Sequence, residues 1–480
     1  MWLTKKYAGI PIECKVAPVA FGFMNKSYGA GAFSAGRENI SLGDYASTFG
    51  RENKAGYAAF SAGFNNKAIG FYSFTAGSDN TASGHFSAAL GNRTNAIGSN
   101  SFAMGQNTFA NGQASAAFGV SSITGKNAYA AAAFGAGSKA NGSTSIAMGD
   151  QSEANGNSSV AMGYKSKANG PQSFAVGYGS EANGHYSFAA GQSTANGIWS
   201  FAAGYSTATG SYSASFGQYS QANGSNSLAV GNNTIANADY SCTFGIGTIT
   251  AQEAIGAVAF GNTTRANKTG SVAMGELSEA NGKNSVAIGY KSKVSGSNSV
   301  AFGNQSEATG SCAIAVGEKA KALAYLSFAQ GNSTASGERS AALGSGNTAS
   351  GYASFATGDS CTASGSRAVA LGRNCNAGFN YSVVTGCHNT ATAASQTIMG
   401  KYALTEGKTD LLFAIGNGES GARSNAIEVF NDGHAEIKTQ GNTDNSVVIK
   451  KELDNRIGEI EKIVDNILAI QESLIGGASI

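Results

Sequence analysis

Ser159–Gly170 reads SVAMGYKSKANG, and Ser173–Gly184 reads SFAVGYGSEANG. The same line is written twice, with only some letters changed. Gly149, Gly163, Gly177 and Gly191 stand 14 residues apart, and each closes a block Ser-Φ-Ala-Φ-Gly in which Φ is larger and usually apolar. Repeats of this kind decide an architecture before any local propensity does. The series of anchor glycines begins at Gly22 and runs through Gly36, Gly50, Gly63 and Gly77 to Gly400, 28 anchors in all. Most steps are 14 residues, a few are 13, and Gly119 to Gly135 and Gly245 to Gly261 are 16. One motif fills most of the chain.

The repeat reads as two short strands. Side chains alternate along a strand, so Ser159, Ala161 and Gly163 share one face while Val160 and Met162 share the other. In the following KSKA, Ser166 and Ala168 lie opposite Lys165 and Lys167. Asn169-Gly170 is a turn signal, because both residues tolerate positive φ. One repeat is then a flat coil whose two small-residue faces meet inside. Stacked coils make two closely pressed parallel sheets, and at ~4.8 Å per strand the series spans on the order of 130 Å. The short strand shows charge to water. The long strand keeps an outward apolar stripe: Val160, Met162, Phe174, Val176, Phe188, Val286, Ile288, Val300 and Phe302. A stripe of that length calls for a partner, and oligomerisation about an axis parallel to the stack closes it.

The C-terminal residues set an expectation for the order of that axis. Leu453, Ile457, Ile460, Val464, Ile467 and Leu474 follow a heptad pattern, with Gln471 at one core position. Ile at both core positions favours trimers or tetramers over dimers. Alternating apolar residues flank Asn431-Asp432-Gly433, which reads as a β-hairpin neck. The expected domains are an N-terminal docking peptide over 1–17, repeats over 18–402, the neck over 403–445 and a coiled-coil trimerisation segment over 446–480.

Composition bounds the function. The chain has 480 residues, of which 67 are Gly and 3 are Pro, so it is not collagen. Charged residues are 12% and the net charge is +2, which gives no strong attraction to nucleic acid or acidic lipid. The N-terminal MWLTKKYAGIPIECKV lacks an apolar run fit for a signal peptide. No stretch of about 18 apolar residues occurs, so no membrane insertion is expected. Cys361 and Cys375 each follow an anchor by three residues, where Ser166 stands in the quoted line, so they read as small packed side chains. No His/Cys pair has metal-ligand spacing, and no metal or other cofactor is expected.

Asn284–Gly289 (NSVAIG), Asn298–Gly303 (NSVAFG) and the recurring Ser-x-Ala-x-Gly resemble the head repeats of trimeric autotransporter adhesins, the YadA-like head. The resemblance covers roughly residues 18–402. It implies a homotrimer, a left-handed roll and an adhesive role. The complete expectation is an all-β, trimeric left-handed parallel β-roll with a C-terminal hairpin neck and a short three-stranded coiled coil. Such adhesins carry a signal peptide and a membrane-anchor barrel, and neither is visible in this sequence. Asn425–Lys438 (NAIEVFNDGHAEIK), Val447–Asp454 (VVIKKELD) and Ile467–Gly477 (ILAIQESLIGG) are similar to C-terminal segments of phage fibre proteins. The two resemblances together imply a fibre on a phage or phage-like virion, docked to a capsid or tail protein and attached to a host surface or glycan receptor. A bacterial surface adhesin is the alternative. A polysaccharide-degrading tailspike is the alternative of another class, but no catalytic motif appears and the chain reads as a non-enzyme.

Two ladders are candidate sites. Glu153, Lys167 and Glu181, then Glu279, Lys293, Glu307 and Lys321, stand four residues after successive anchors. Each acid has a lysine neighbour on a convex face, which favours an ion-pair ladder over an acid/base pair. Five residues before three successive anchors stand Tyr186, Trp199 and Tyr212, with Tyr72 and Phe86 in the same place further upstream. Stacked rings can bind sugar faces, which makes Tyr186, Trp199 and Tyr212 candidate glycan-binding residues. Packing against a neighbouring subunit is the competing reading. Tyr164, Tyr178, Tyr205 and Tyr290, each just after an anchor, read as surface ladder residues.

Overall fold

The computed structural model describes residues 17–437 and 450–476. The docking peptide (all but Ala17), Cys14, residues 438–449 and the final 477–480 lie outside the described residues. So do the side chains of Leu453, Gln471 and Leu474. The chain divides into two compact units, Met1–Lys291 and Ser292–Ile480.

The first unit is a parallel β-solenoid. In the quoted coil the long strand is Val160–Met162 and the short strand is Lys167–Ala168. Each pairs in parallel with its equivalent in the next coil, with Ala161 opposite Ala175 and Ala168 opposite Ala182. Ser159, Ala161, Ser166 and Ala168 are fully buried, while Val160 and Met162 are half-exposed on the other face. The apolar core is a column of alanines, flanked by buried serines; one continuous cluster runs from Ala128 to Ala208 without another apolar residue type. A buried methyl contributes only on the order of 0.8 kcal/mol. No coil buries enough to stand alone, and stability belongs to the stack. Backbone hydrogen bonds between coils, such as Val160 N to Ser173 O at 2.9 Å and Lys167 N to Ser180 O at 2.8 Å, join them.

The left-handed backbone is not where the Asn-Gly signal put it. In the quoted coil the non-glycine residues with positive φ are Lys165 (54°) and Gln172 (56°), two positions after each glycine. Gly170 serves another end: a Cβ there would stand 2.0 Å from Gly184 O of the next coil. Asn169 is one rung of an amide ladder. Asn141, Asn155, Asn169 and Asn183 each donate Nδ2 to the Asn Oδ1 one coil on, at 2.7, 2.7, 2.6 and 2.8 Å. The pair thus marks close approach and an exposed hydrogen-bond chain. The anchor Gly163 does need its conformational freedom, since its φ is +121° and a Cβ would lie 2.5 Å from Gly177 O.

The second unit continues the same motif and then departs from it. Val300–Phe302 pairs in parallel with Ile314–Val316. Further on, Phe328–Ala335 and Ala341–Ala349 are unbroken strands that run through both arms of their coils. After Thr397–Lys401 comes Leu411–Asn417, parallel to that strand and antiparallel to Asn425–Phe430. Asn425–Phe430 pairs antiparallel with Ala435–Ile437 across Asn431-Asp432-Gly433, where Gly433 N donates to Phe430 O at 3.0 Å. Leu411–Asn417 lies outside the repeat and had no counterpart in the sequence reading. Beneath it Glu428 is fully buried; Lys408 Nζ donates to its carboxylate, and Asn425 Nδ2 donates to it at 2.7 Å. The helix Lys450–Gly476 follows.

Candidate functional site

Three surfaces of the coil carry side chains able to meet another molecule. The first is the outward face of the long strand. Val160, Met162, Phe174, Val176, Val286 and Ile288 all stand on it in the first unit, half-exposed. Alternation along the strand puts them there, because the intervening Ala161, Ala175 and Ala287 point into the core. Rings stack along this face: Phe174, Phe188, Phe201 and Phe216 follow one another at centroid distances of 5.4, 4.6 and 5.0 Å. In the second unit Val300 and Phe302 take the equivalent positions, and Phe302 is 53% exposed. On the helix Ile457, Ile460, Val464 and Ile467 are each about half exposed, as are Ile463 and Leu468.

The second surface is the edge five residues before each anchor. Tyr186 and Trp199 lie face to face, with centroids 4.1 Å apart and planes within 2°. Both have positive φ (58°), which turns the side chain out of the corner, and Trp199 is 52% exposed. Trp199 N donates to His185 O at 2.9 Å, which fixes the ring to the preceding coil. Tyr212 occupies the same edge, but among the described residues it makes no ring contact with Trp199, so the stack has two members and not three. Tyr72 and Phe86 form a like pair at 5.0 Å. Beside it Phe71 packs on His85 at 4.7 Å.

The third surface is the short-strand face. Lys139, Glu153, Lys167 and Glu181 stand in register on four successive coils. Lys139 Nζ donates to Glu153 at 2.9 Å, and Lys167 pairs with Glu181 at 3.6 Å. The Lys139 hydrogen bond holds the Glu153 carboxyl below the usual glutamate range. In the second unit Lys293, Glu307 and Lys321 are likewise in register. Tyr164 and Tyr178 stack at 5.3 Å on the adjoining corner. Further along this face a groove opens beside Tyr205 and Tyr219. Tyr219 had no place in the sequence reading. The signal that could have found the groove is a pair of consecutive 13-residue steps, Gly191 to Gly204 to Gly217.

Cys361 and Cys375 are packing residues. Cys361 and Cys375 are buried on adjacent coils, and Cys375 Sγ lies 3.3 Å from both Leu371 O and Gly386 O. Burial, with the neighbouring Cys361 thiol, pushes the Cys375 thiol up to about 12. A thiol held protonated is a poor nucleophile and a poor metal ligand.

The family model of the YadA head domain repeat matches this chain over residues 96–122, 124–152, 140–166, 154–180, 168–194, 208–234, 222–241, 253–276, 280–306, 335–360 and 349–374. No curated protein matches the chain. YadA head domain repeats are thus detected along the solenoid.

Proposed function

We propose that three copies of this chain form a homotrimeric fibre that attaches to a host surface or glycan and performs no catalysis. One observation carries the reading: the long-strand face is lined with half-exposed Val, Ile, Met and Phe in coil after coil, while the short-strand face is mostly polar, with Ile40, Phe109, Ile123, Ile235 and Ile249 the exceptions. A stripe so extended is closed by copies of itself around a common axis. The exposed Ile and Val positions of the helix fit the same three-fold closure as a short coiled coil. The Tyr186/Trp199 stack is a candidate contact for a sugar ring.

Light scattering is expected to give three times the 48.2 kDa of one chain. The double change Val286→Asp with Ile288→Asp should break the assembly, and Lys291→Glu should leave it intact. A stable monomer, or equal damage from both changes, would overturn the trimer.

The similarity of the C-terminal segments to phage fibre proteins favours a virion as the carrier, with a capsid or tail protein as the docking partner. The YadA head repeats support a bacterial cell surface equally well. Cryo-electron microscopy of particles from the producing cells separates the two. A three-fold rod on a capsid or tail supports the virion. Recovery only with the cell envelope supports the adhesin.

A further inference from the structure

The coils between Gly191 and Gly217 are shorter than their neighbours, and the shortening falls in one corner. In the quoted coil two residues, Tyr164 and Lys165, separate the anchor Gly163 from the buried Ser166. In the next two short coils only one does: Gln192 stands between Gly191 and Ser193, and Tyr205 between Gly204 and Ser206. The corner backbone changes accordingly. The anchor φ falls from 121° at Gly163 to 67° at Gly191 and 83° at Gly204. A Cβ on Gly163 would meet the next coil at 2.5 Å, whereas on Gly191 and Gly204 the nearest atoms would be 3.7 and 3.5 Å away. The missing residues leave a notch in the ridge.

That notch is a groove of about 330 Å³ lined by Gln192, Thr194, Tyr205, Thr207, Tyr219 and Gln221. This is within the ~300–1,000 Å³ usual for small-ligand sites. Its two rings meet edge to face, 4.9 Å apart at 88°. Tyr219 N donates to Tyr205 O at 2.9 Å, and Tyr205 N donates to Ser193 Oγ at 3.1 Å, so the groove's walls hang on fixed backbone. The charge ladder stops here. The in-register positions after Lys139, Glu153, Lys167 and Glu181 are Thr194, Thr207 and Gln221. The side chains of Gln192, Thr194, Thr207 and Gln221 make no hydrogen bond among the described residues, which leaves their donors and acceptors for a ligand.

We infer that this notch binds a neutral saccharide. A hexose offers a C–H face to an exposed Tyr ring and hydroxyls to amides and Thr hydroxyls. An anionic sugar would find no cation within the lining. The groove lies on the face opposite the apolar stripe, so it stays open when copies associate through that stripe. The inference deepens the attachment role proposed above and rests on it for its biological meaning.

The test uses the full chain and saturation-transfer NMR with maltohexaose, cellohexaose, mannohexaose and N-acetylchitohexaose, each up to about 10 mM. At least one is expected to bind. Tyr219→Ala and Tyr205→Ala should each weaken that binding about tenfold or more, while Lys167→Ala leaves it unchanged. Gln221→Lys, an exposed change that places a charge in the groove, should weaken it as well and serves where a Tyr variant fails to fold. Binding of none of the four, or loss with Trp199→Ala but not with Tyr219→Ala and Gln221→Lys, overturns the inference. Light scattering on the same samples keeps the two readings apart. A monomer that binds at Tyr219 sinks the trimer alone, and a trimer that ignores all four sugars sinks the groove alone.

Discussion

The coils around Asn53 and those around Ser166 are built on the same anchor glycine, yet their inner corners are held differently. Three residues after the anchor, the first group places Asn39, Asn53, Asn66 and Asn80, all fully buried. Asn53 Nδ2 donates to Phe49 O at 2.8 Å, to Gly63 O at 2.7 Å and to Asn39 Oδ1 at 3.0 Å. Its Oδ1 accepts the backbone N–H of Asn66 at 3.0 Å. One side chain thus links three coils. In the second group the position holds serine. Ser166 Oγ reaches only Gly163 O of its own coil, at 3.2 Å, and the Ser180 hydroxyl is buried with no partner among the described residues. The long strands differ in step: Phe60–Phe64 passes beyond its anchor, and Val160–Met162 stops before it. An asparagine corner is a structural bracket, and a serine corner is a filler of the right volume. The same fold is thus held tightly at one place and loosely at another.

Four outcomes would break or sharpen that contrast. The largest effect belongs to what the two regions share. Gly63→Ala and Gly163→Ala force a side chain onto positive φ and against the next coil, with Cβ contacts of 2.0 and 2.5 Å. Each should lose at least about 2–3 kcal/mol in urea unfolding. A loss at only one would show that the anchors are not equivalent. Next comes the corner itself. Asn53→Ala leaves Phe49 O, Gly63 O and Asn66 N–H without their partner and should cost about 2–4 kcal/mol. Ser180→Ala removes a hydroxyl that satisfies nothing and should change stability by less than about 1 kcal/mol in either direction. Equal losses would erase the distinction.

The smallest effect is one of pH. Glu153 in the folded coil has its pKa depressed, chiefly by the hydrogen bond from Lys139. Its contribution is therefore present above the ordinary glutamate range and is lost as pH falls through the depressed value. The pair is partly exposed, so the change should stay well under ~1 kcal/mol. Hydrogen exchange in the coils from Lys139 to Glu181 reads it, with the coils around Asn53 as reference. Amides near Glu153 that are unmoved by acid would show the ladder to be decorative.

The solenoid was legible because two periods agree. The 14-residue anchor spacing gives the coil, and the two-residue alternation within Val160-Ala161-Met162 says which side is core. The Asn-Gly pair was read by its usual turn chemistry, and here a different constraint won: Gly170 faces the backbone of the next coil, and Asn169 faces its own kind. The antiparallel turn at Asn431-Asp432-Gly433 carried a local signal, whereas Leu411–Asn417 did not, since its partner is the last coil and its sequence lacks the repeat. The groove at Tyr219 was hidden because its signal is an absence of two residues in a long count. The Tyr186/Trp199 stack was read from spacing alone, and spacing could not say that Tyr212 would stand clear of it.

In-register pairing of like with like has a consequence for descent. Ala161 meets Ala175, and Ala168 meets Ala182, so each coil shows its neighbour the surface that it would itself accept. A coil gained or dropped by recombination within the gene joins two compatible faces, and length changes by about 4.8 Å with no packing to be reinvented. Outward residues are free to drift while inner ones are held. Reach and surface chemistry become separately heritable, and a lineage can lengthen such a protein without altering the side chains it presents.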